Sequence, residues 1–113
     1  IIIVWNNLYK SPPEKFGMIN VPVEIITPKK NSLTNRFIPY KIIETEAVVS
    51  MDDDMNFTEA ELVFAFRMWR ENRNRIVGFP LRYHKEQNGT GKYSAYAHCE
   101  YSMILTGFAI LHK

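Results

Sequence analysis

Asp52-Asp53-Asp54 is the stretch whose residue types and spacing most need a chemical explanation. Three adjacent carboxylates repel one another unless something positive neutralises them. A divalent cation does so, because Mg2+ and Mn2+ prefer carboxylate oxygens together with phosphate oxygens from a substrate. A metal held by one or two aspartates and two phosphates binds a nucleoside diphosphate and stabilises a diphosphate as it departs. The same residues also read as a solvated acidic turn, with one aspartate favouring the N-terminus of the helix that follows. The apolar run Val48-Val49-Ser50-Met51 before them and a helix-start signal after them strengthen the metal reading.

Other candidates are individually weaker. Asn6-Asn7 follow the apolar run Ile1–Trp5. Asparagine at the carboxyl end of a strand can read a base or ribose through its amide, and it also forms turns readily. Asn31 and Arg36 lie in a polar segment. Arg36 could fork onto a pair of phosphates or stand at the surface as an ordinary cation. Arg82, His84 and Lys85 form a small basic group that suits an acidic ligand and, equally, a solvated loop. Glu100 is a lone acid just ahead of Tyr101-Ser102-Met103, open to a role near a reacting centre or to a plain surface role. His98 and His112 stand alone, and no His/Cys/Asp spacing matches a zinc site.

The elements that must position these residues follow from hydropathy. Ile1–Trp5 reads as a buried strand, and residues 6–20, with Pro12, Pro13 and Gly17, as connection. Val21–Thr27 reads as a second strand with Pro22 near its start, and residues 28–36 as loop. A third strand is best formed over Glu46–Met51 and runs into the aspartates. Thr58 followed three residues later by Glu61 makes a capping box, and Phe57 with Leu62 a hydrophobic staple. Leu62, Phe66 and Trp69 share one face of a helix expected to reach about Asn72. A short strand over Ile76–Phe79 follows, then an irregular, solvated segment over 84–98. Tyr101–Leu105 is apolar again, and Gly107 opens a further element. The order predicts an α/β fold, whose ligands bind beyond the carboxyl ends of the strands.

Composition sets the limits. The 113 residues suffice for one modest domain. With 46% hydrophobic and 23% charged residues the chain is globular rather than disordered. A net charge of +2 with scattered lysines and arginines gives no sign of nucleic-acid binding. No apolar run reaches membrane-spanning length, and no signal peptide is visible. Both ends, Ile1-Ile2-Ile3 and Ile110-Leu111-His112-Lys113, are apolar enough that residues 1–113 are expected to be part of one domain cut at both sides. The single cysteine, Cys99, permits no internal disulfide and reads as a buried thiol or as the partner of a cysteine elsewhere. Two sequons, Asn56-Phe57-Thr58 and Asn88-Gly89-Thr90, weakly favour a secretory compartment.

Taken together, several stretches resemble the exostosin family (glycosyltransferase family 64), and most closely its exostosin-like three branch. They are Ile3–Asn7, Asn31–Phe37, Ile43–Val48, Asp52-Asp53-Asp54, Phe64–Glu71, Arg75–Pro80, Arg82-Tyr83-His84 and Cys99–Gly107, and they cover essentially the whole chain. The resemblance implies a GT-A type fold. It implies retaining transfer of N-acetylglucosamine from UDP-N-acetylglucosamine, in an alpha-1,4 linkage, onto a glucuronic-acid-ending heparan sulfate or linkage-region acceptor. Mn2+ as cofactor is implied, as is a type II membrane protein of the Golgi or endoplasmic reticulum lumen with its anchor outside these residues, and so is oligomerisation with other exostosin proteins. By the same resemblance Asn6 and Asn31 contact uridine or ribose, Arg36 contacts the UDP moiety, Asp52 and Asp53 contact the nucleotide sugar, Asp54 is the principal metal ligand and Glu100 lies near the donor sugar. Parts of the family's pocket fall outside the chain, so the chain alone is expected to be inactive. Two other readings stand beside this one: a non-catalytic sugar-nucleotide-binding or scaffold subunit, and an N-acetylgalactosaminyltransferase.

Overall fold

The computed structural model describes residues 1–14, 17, 20–95 and 100–113. It consists of two compact units, Ile1–Ile38 and Pro39–Lys113.

In the first unit, β1 (Ile2–Val4) pairs in parallel with β2 (Glu24–Ile26), in the register Ile2↔Glu24 and Val4↔Ile26. β2 is shorter than the β-branched run around it predicts, because a strand forms only where a partner supplies the ladder. Residues 33–36 of the expected 28–36 loop are helical: Leu33–Phe37 forms a 3-10 helix capped by Ser32, whose hydroxyl accepts from the Thr34 N–H.

The second unit is a four-stranded antiparallel sheet with one helix packed on it. The strands are β3 (Ala47–Met51), β4 (Val77–Gln87), β5 (Thr90–Ser94) and β6 (Met103–His112), in the spatial order β3-β6-β4-β5. Mixed α/β character is as expected, but this sheet is antiparallel, with β3 at its edge. Two sequence expectations need correction here. Over residues 84–94 the segment expected to be irregular is a hairpin, β4 and β5 pairing over Tyr83↔Ser94 to Gln87↔Thr90, while its residues 96–98 lie outside the described residues. Asn88 and Gly89, both at positive φ (53° and 71°), close the hairpin as a two-residue turn. Likewise β6 runs unbroken through Gly107, where a new element was expected to start.

Helix α1 (Glu59–Glu71) begins where the capping box predicts. The Thr58 hydroxyl accepts from the Glu61 N–H at 3.3 Å, and the Glu61 carboxylate accepts from the Thr58 N–H at 2.7 Å. These two bonds satisfy donors that a helix start otherwise leaves open. The core joins Ala65 and Trp69 of α1 to Phe108 and Ile110 of β6, with Met55, Phe57, Val77 and Phe79 packed against them. The buried stripe of α1 is therefore Ala65/Trp69, while Leu62 and Phe66 stay 38% and 44% exposed. Phe57 turns into the core against Phe79 and Phe108. At the other end of the sheet Glu46 pairs with Arg73 at 2.7 Å, and the Arg73 guanidinium lies 5.8 Å over the Trp69 ring. Among the described residues no helix is long and apolar enough to cross a membrane.

The cap carries a pH signature. The hydrogen bonds from the Thr58 backbone and hydroxyl hold the Glu61 carboxyl below its ordinary value. Its contribution is complete above the ordinary glutamate pKa and is lost as pH falls through the lower folded value. Thr58→Ala is expected to destabilise the fold by about 1 kcal/mol. Thermal unfolding of Glu61→Gln should lack the cap-dependent part of the acid loss that the wild type shows.

Candidate functional site

Asp52 follows β3 directly and is tied to β6 by its backbone. Its N–H donates to the Gly107 carbonyl at 2.8 Å, one step beyond the Met51↔Phe108 pair. The Met55 N–H then donates to the Asp52 carbonyl at 3.3 Å, which turns the chain toward α1. Asp52 is half-buried, with its carboxylate beside Gly107: a Cβ on that glycine would lie 3.3 Å from Asp52 Oδ2. Asp53 and Asp54 are exposed. The start of α1 is already capped by Thr58 and Glu61, so the aspartates are not needed for that purpose.

Among the described residues no group of three or more His, Cys, Asp or Glu side chains is placed to hold a metal ion. The aspartates are thus not a closed cage. A donor set of one or two carboxylates at a solvent-facing strand end instead fits a hard divalent cation whose remaining ligands are phosphate oxygens and water, the usual arrangement for Mg2+-like ions on nucleotides.

In the first unit Asn6 is more deeply engaged than a turn residue. Its amide nitrogen donates to the Ser32 carbonyl at 3.2 Å, and its amide oxygen accepts from Asn35 Nδ2 at 2.7 Å. The same Asn35 nitrogen donates to the Lys30 carbonyl at 2.8 Å. Asn6 therefore clasps the 30–35 segment that carries the exposed Asn31 and leads into the half-buried Arg36. Asn7 makes a local turn, accepting from the Tyr9 and Lys10 N–H groups. Asn35, only 8% exposed, is the centre of the clasp, and sequence reasoning passed over it. Asn35→Ala would leave partly buried acceptors without a donor. It is expected to cost about 1–3 kcal/mol in denaturant unfolding, and to loosen Asn31 and Arg36 together.

The remaining candidates lie in the second unit. Arg82 Nη1 donates to the Leu81 carbonyl, and the His84 N–H donates to Ser102 Oγ at 2.9 Å. His84 and Lys85 are exposed on β4, as is Glu100 ahead of β6. His112 sits 6.2 Å from the Trp69 ring, in a packing position. His98 and Cys99 lie outside the described residues. Asn88 is exposed at the hairpin tip, and Asn56 is exposed between Met55 and Phe57.

Comparison with known sequences decides the family. The model for the glycosyl transferase family 64 domain matches residues 1–113. The chain belongs to the exostosin family of glycosyltransferases. It is 50% identical over 113 residues to the Exostosin-like-3 homolog of Caenorhabditis elegans, covering all of this chain and 14% of that protein. It is 43% identical over 118 residues to Exostosin-2 of Homo sapiens, with 16% of that protein covered. To Exostosin-1 of Bos taurus it is 38% identical over 116 residues, again with 16% covered. The exostosin-family chain thus spans only a small part of the relatives it matches.

Proposed function

We propose that this exostosin-family chain is the donor-binding part of a longer, retaining glycosyltransferase with a GT-A type fold. The enzyme moves N-acetylglucosamine from UDP-N-acetylglucosamine to a glucuronic-acid-ending acceptor in heparan sulfate assembly. The observation that carries this reading is the family 64 match over residues 1–113 combined with three aspartates at the carboxyl end of β3, ahead of a helix whose cap is made by Thr58 and Glu61 instead.

The residues divide the work by chemistry. Asn6 has one amide hydrogen and one oxygen lone pair beyond those in the clasp, enough to contact uracil or ribose, and Asn31, between the clasped Lys30 and Ser32, suits the same partner. Arg36 brings a planar cation to the diphosphate. Asp52 and Asp53 face the nucleotide sugar, and Asp54 is the principal ligand of Mn2+. When bound, the metal supplies positive charge to the departing diphosphate. Glu100 lies toward the donor sugar, where a carboxylate favours positive charge developing at the anomeric carbon. The full-length protein is a lumenal type II membrane protein of the Golgi or endoplasmic reticulum, working alone or in an assembly with other exostosin proteins.

The test is a donor panel on the full-length protein with a glucuronic-acid-ending acceptor. UDP-N-acetylglucosamine should be consumed and an alpha-linked product formed only with Mn2+. Preferential use of UDP-N-acetylgalactosamine would change the donor assignment. UDP binding without turnover of any donor would point to a scaffold subunit.

A further inference from the structure

Gly107 lies inside β6, between Ile104-Leu105-Thr106 and Phe108-Ala109-Ile110. A glycine within a strand costs roughly 0.5–1 kcal/mol relative to alanine, so its presence there calls for a reason. Its backbone does not supply one: among the glycines only Gly89 has a positive φ. The space above it does. A Cβ at this position would lie 3.3 Å from Asp52 Oδ2, 3.8 Å from Met55 Sδ and 3.9 Å from Met55 Cε. The first distance is tighter than ordinary van der Waals contact, whereas the two to Met55 are ordinary. The Gly107 carbonyl also accepts the Asp52 N–H at 2.8 Å. The first aspartate is therefore fixed at its backbone by this residue and seated at its carboxylate in the space that this residue leaves.

We propose that Gly107 is a positioning residue for the sugar-nucleotide site: its missing side chain makes the seat that sets the direction of the Asp52 carboxylate. The inference rests on the donor-site reading above. A methyl group in the seat displaces Oδ2 by a few tenths of an ångström or turns it to another rotamer. A rotamer turn exceeds the error of about 0.5 Å within which binding constellations must be held, and a shift of a few tenths uses up most of it.

A double-mutant cycle on the full-length protein tests this, using Gly107→Ala, Asp52→Ala and the pair, with UDP binding in the presence of Mn2+ measured by calorimetry. Gly107→Ala should weaken binding about tenfold, as loss of a group that orients a ligand-binding side chain commonly does. In the Asp52→Ala background the same change should have almost no further effect, because the group it displaces is gone. Wild-type affinity in Gly107→Ala, or an equal loss in both backgrounds, overturns the positioning role while leaving the donor site intact. If the wild type takes up no UDP with Mn2+, the donor-site reading fails and the positioning role with it. Thermal unfolding covers a Gly107→Ala protein too unstable to titrate. Removing Asp52 should then restore stability, and a double variant as unstable as Gly107→Ala alone contradicts the proposal.

Discussion

Asp54→Ala in the full-length protein should reduce sugar transfer by at least about a hundredfold, the scale on which loss of one group stabilising developing negative charge acts. The side chain is exposed, outside the core and not part of the α1 cap, so stability should change by no more than about 0.5 kcal/mol. That combination separates a site residue from a structural one. The loss should appear as weaker Mn2+-dependent binding of UDP together with a lower kcat, because Asp54 would hold the cation whose charge offsets that of the diphosphate. Steady-state kinetics over a Mn2+ series, alongside a melting curve, measure both parts. A variant that melts normally and transfers sugar at the wild-type rate would remove Asp54 from the site.

Phe108→Ala should have the largest effect on folding, about 3–5 kcal/mol. Phe108 is fully buried, and its ring centroid lies 4.4 Å from that of Phe57 and 5.5 Å from that of Phe79. It joins the segment before α1 to β4 and β6, so no single neighbour can move in to fill the space. Its pairing with Met51 places it one step from the Asp52–Gly107 contact. The truncation should therefore also weaken UDP binding, whereas Phe108→Leu, which keeps most of the volume, should do much less of either. Denaturant unfolding checks the first expectation. A loss below about 1 kcal/mol would mean that the core is organised around other residues.

What the sequence revealed was what is encoded locally. The third strand, the position of the aspartates at its end and the start of α1 all depend on neighbours within a few residues: β-branched Val48 and Val49, then the Thr58/Glu61 capping box. The hairpin was hidden because Lys85-Glu86-Gln87 and the tip project into solvent, so neither face shows apolar alternation. Asn88-Gly89 was the turn signal that could have revealed it. Gly107 has no local mark of its use, which becomes visible only when Asp52 is brought across from β3. The Asn6–Asn35 clasp spans 29 positions, and a buried amide has no local mark that separates it from a loop asparagine. Strand order is likewise non-local. The α/β succession does not show that β6 enters between β3 and β4 and makes that sheet antiparallel.

Calorimetric titration of UDP into the full-length protein, once with Mn2+ and once with a chelator, addresses the aspartate row most directly. Saturable uptake that needs the metal, and that disappears in Asp54→Ala, is the predicted result. Uptake of equal strength with and without the metal, or none under either condition, would contradict the assignment of Asp52-Asp53-Asp54 to a cation-bridged diphosphate.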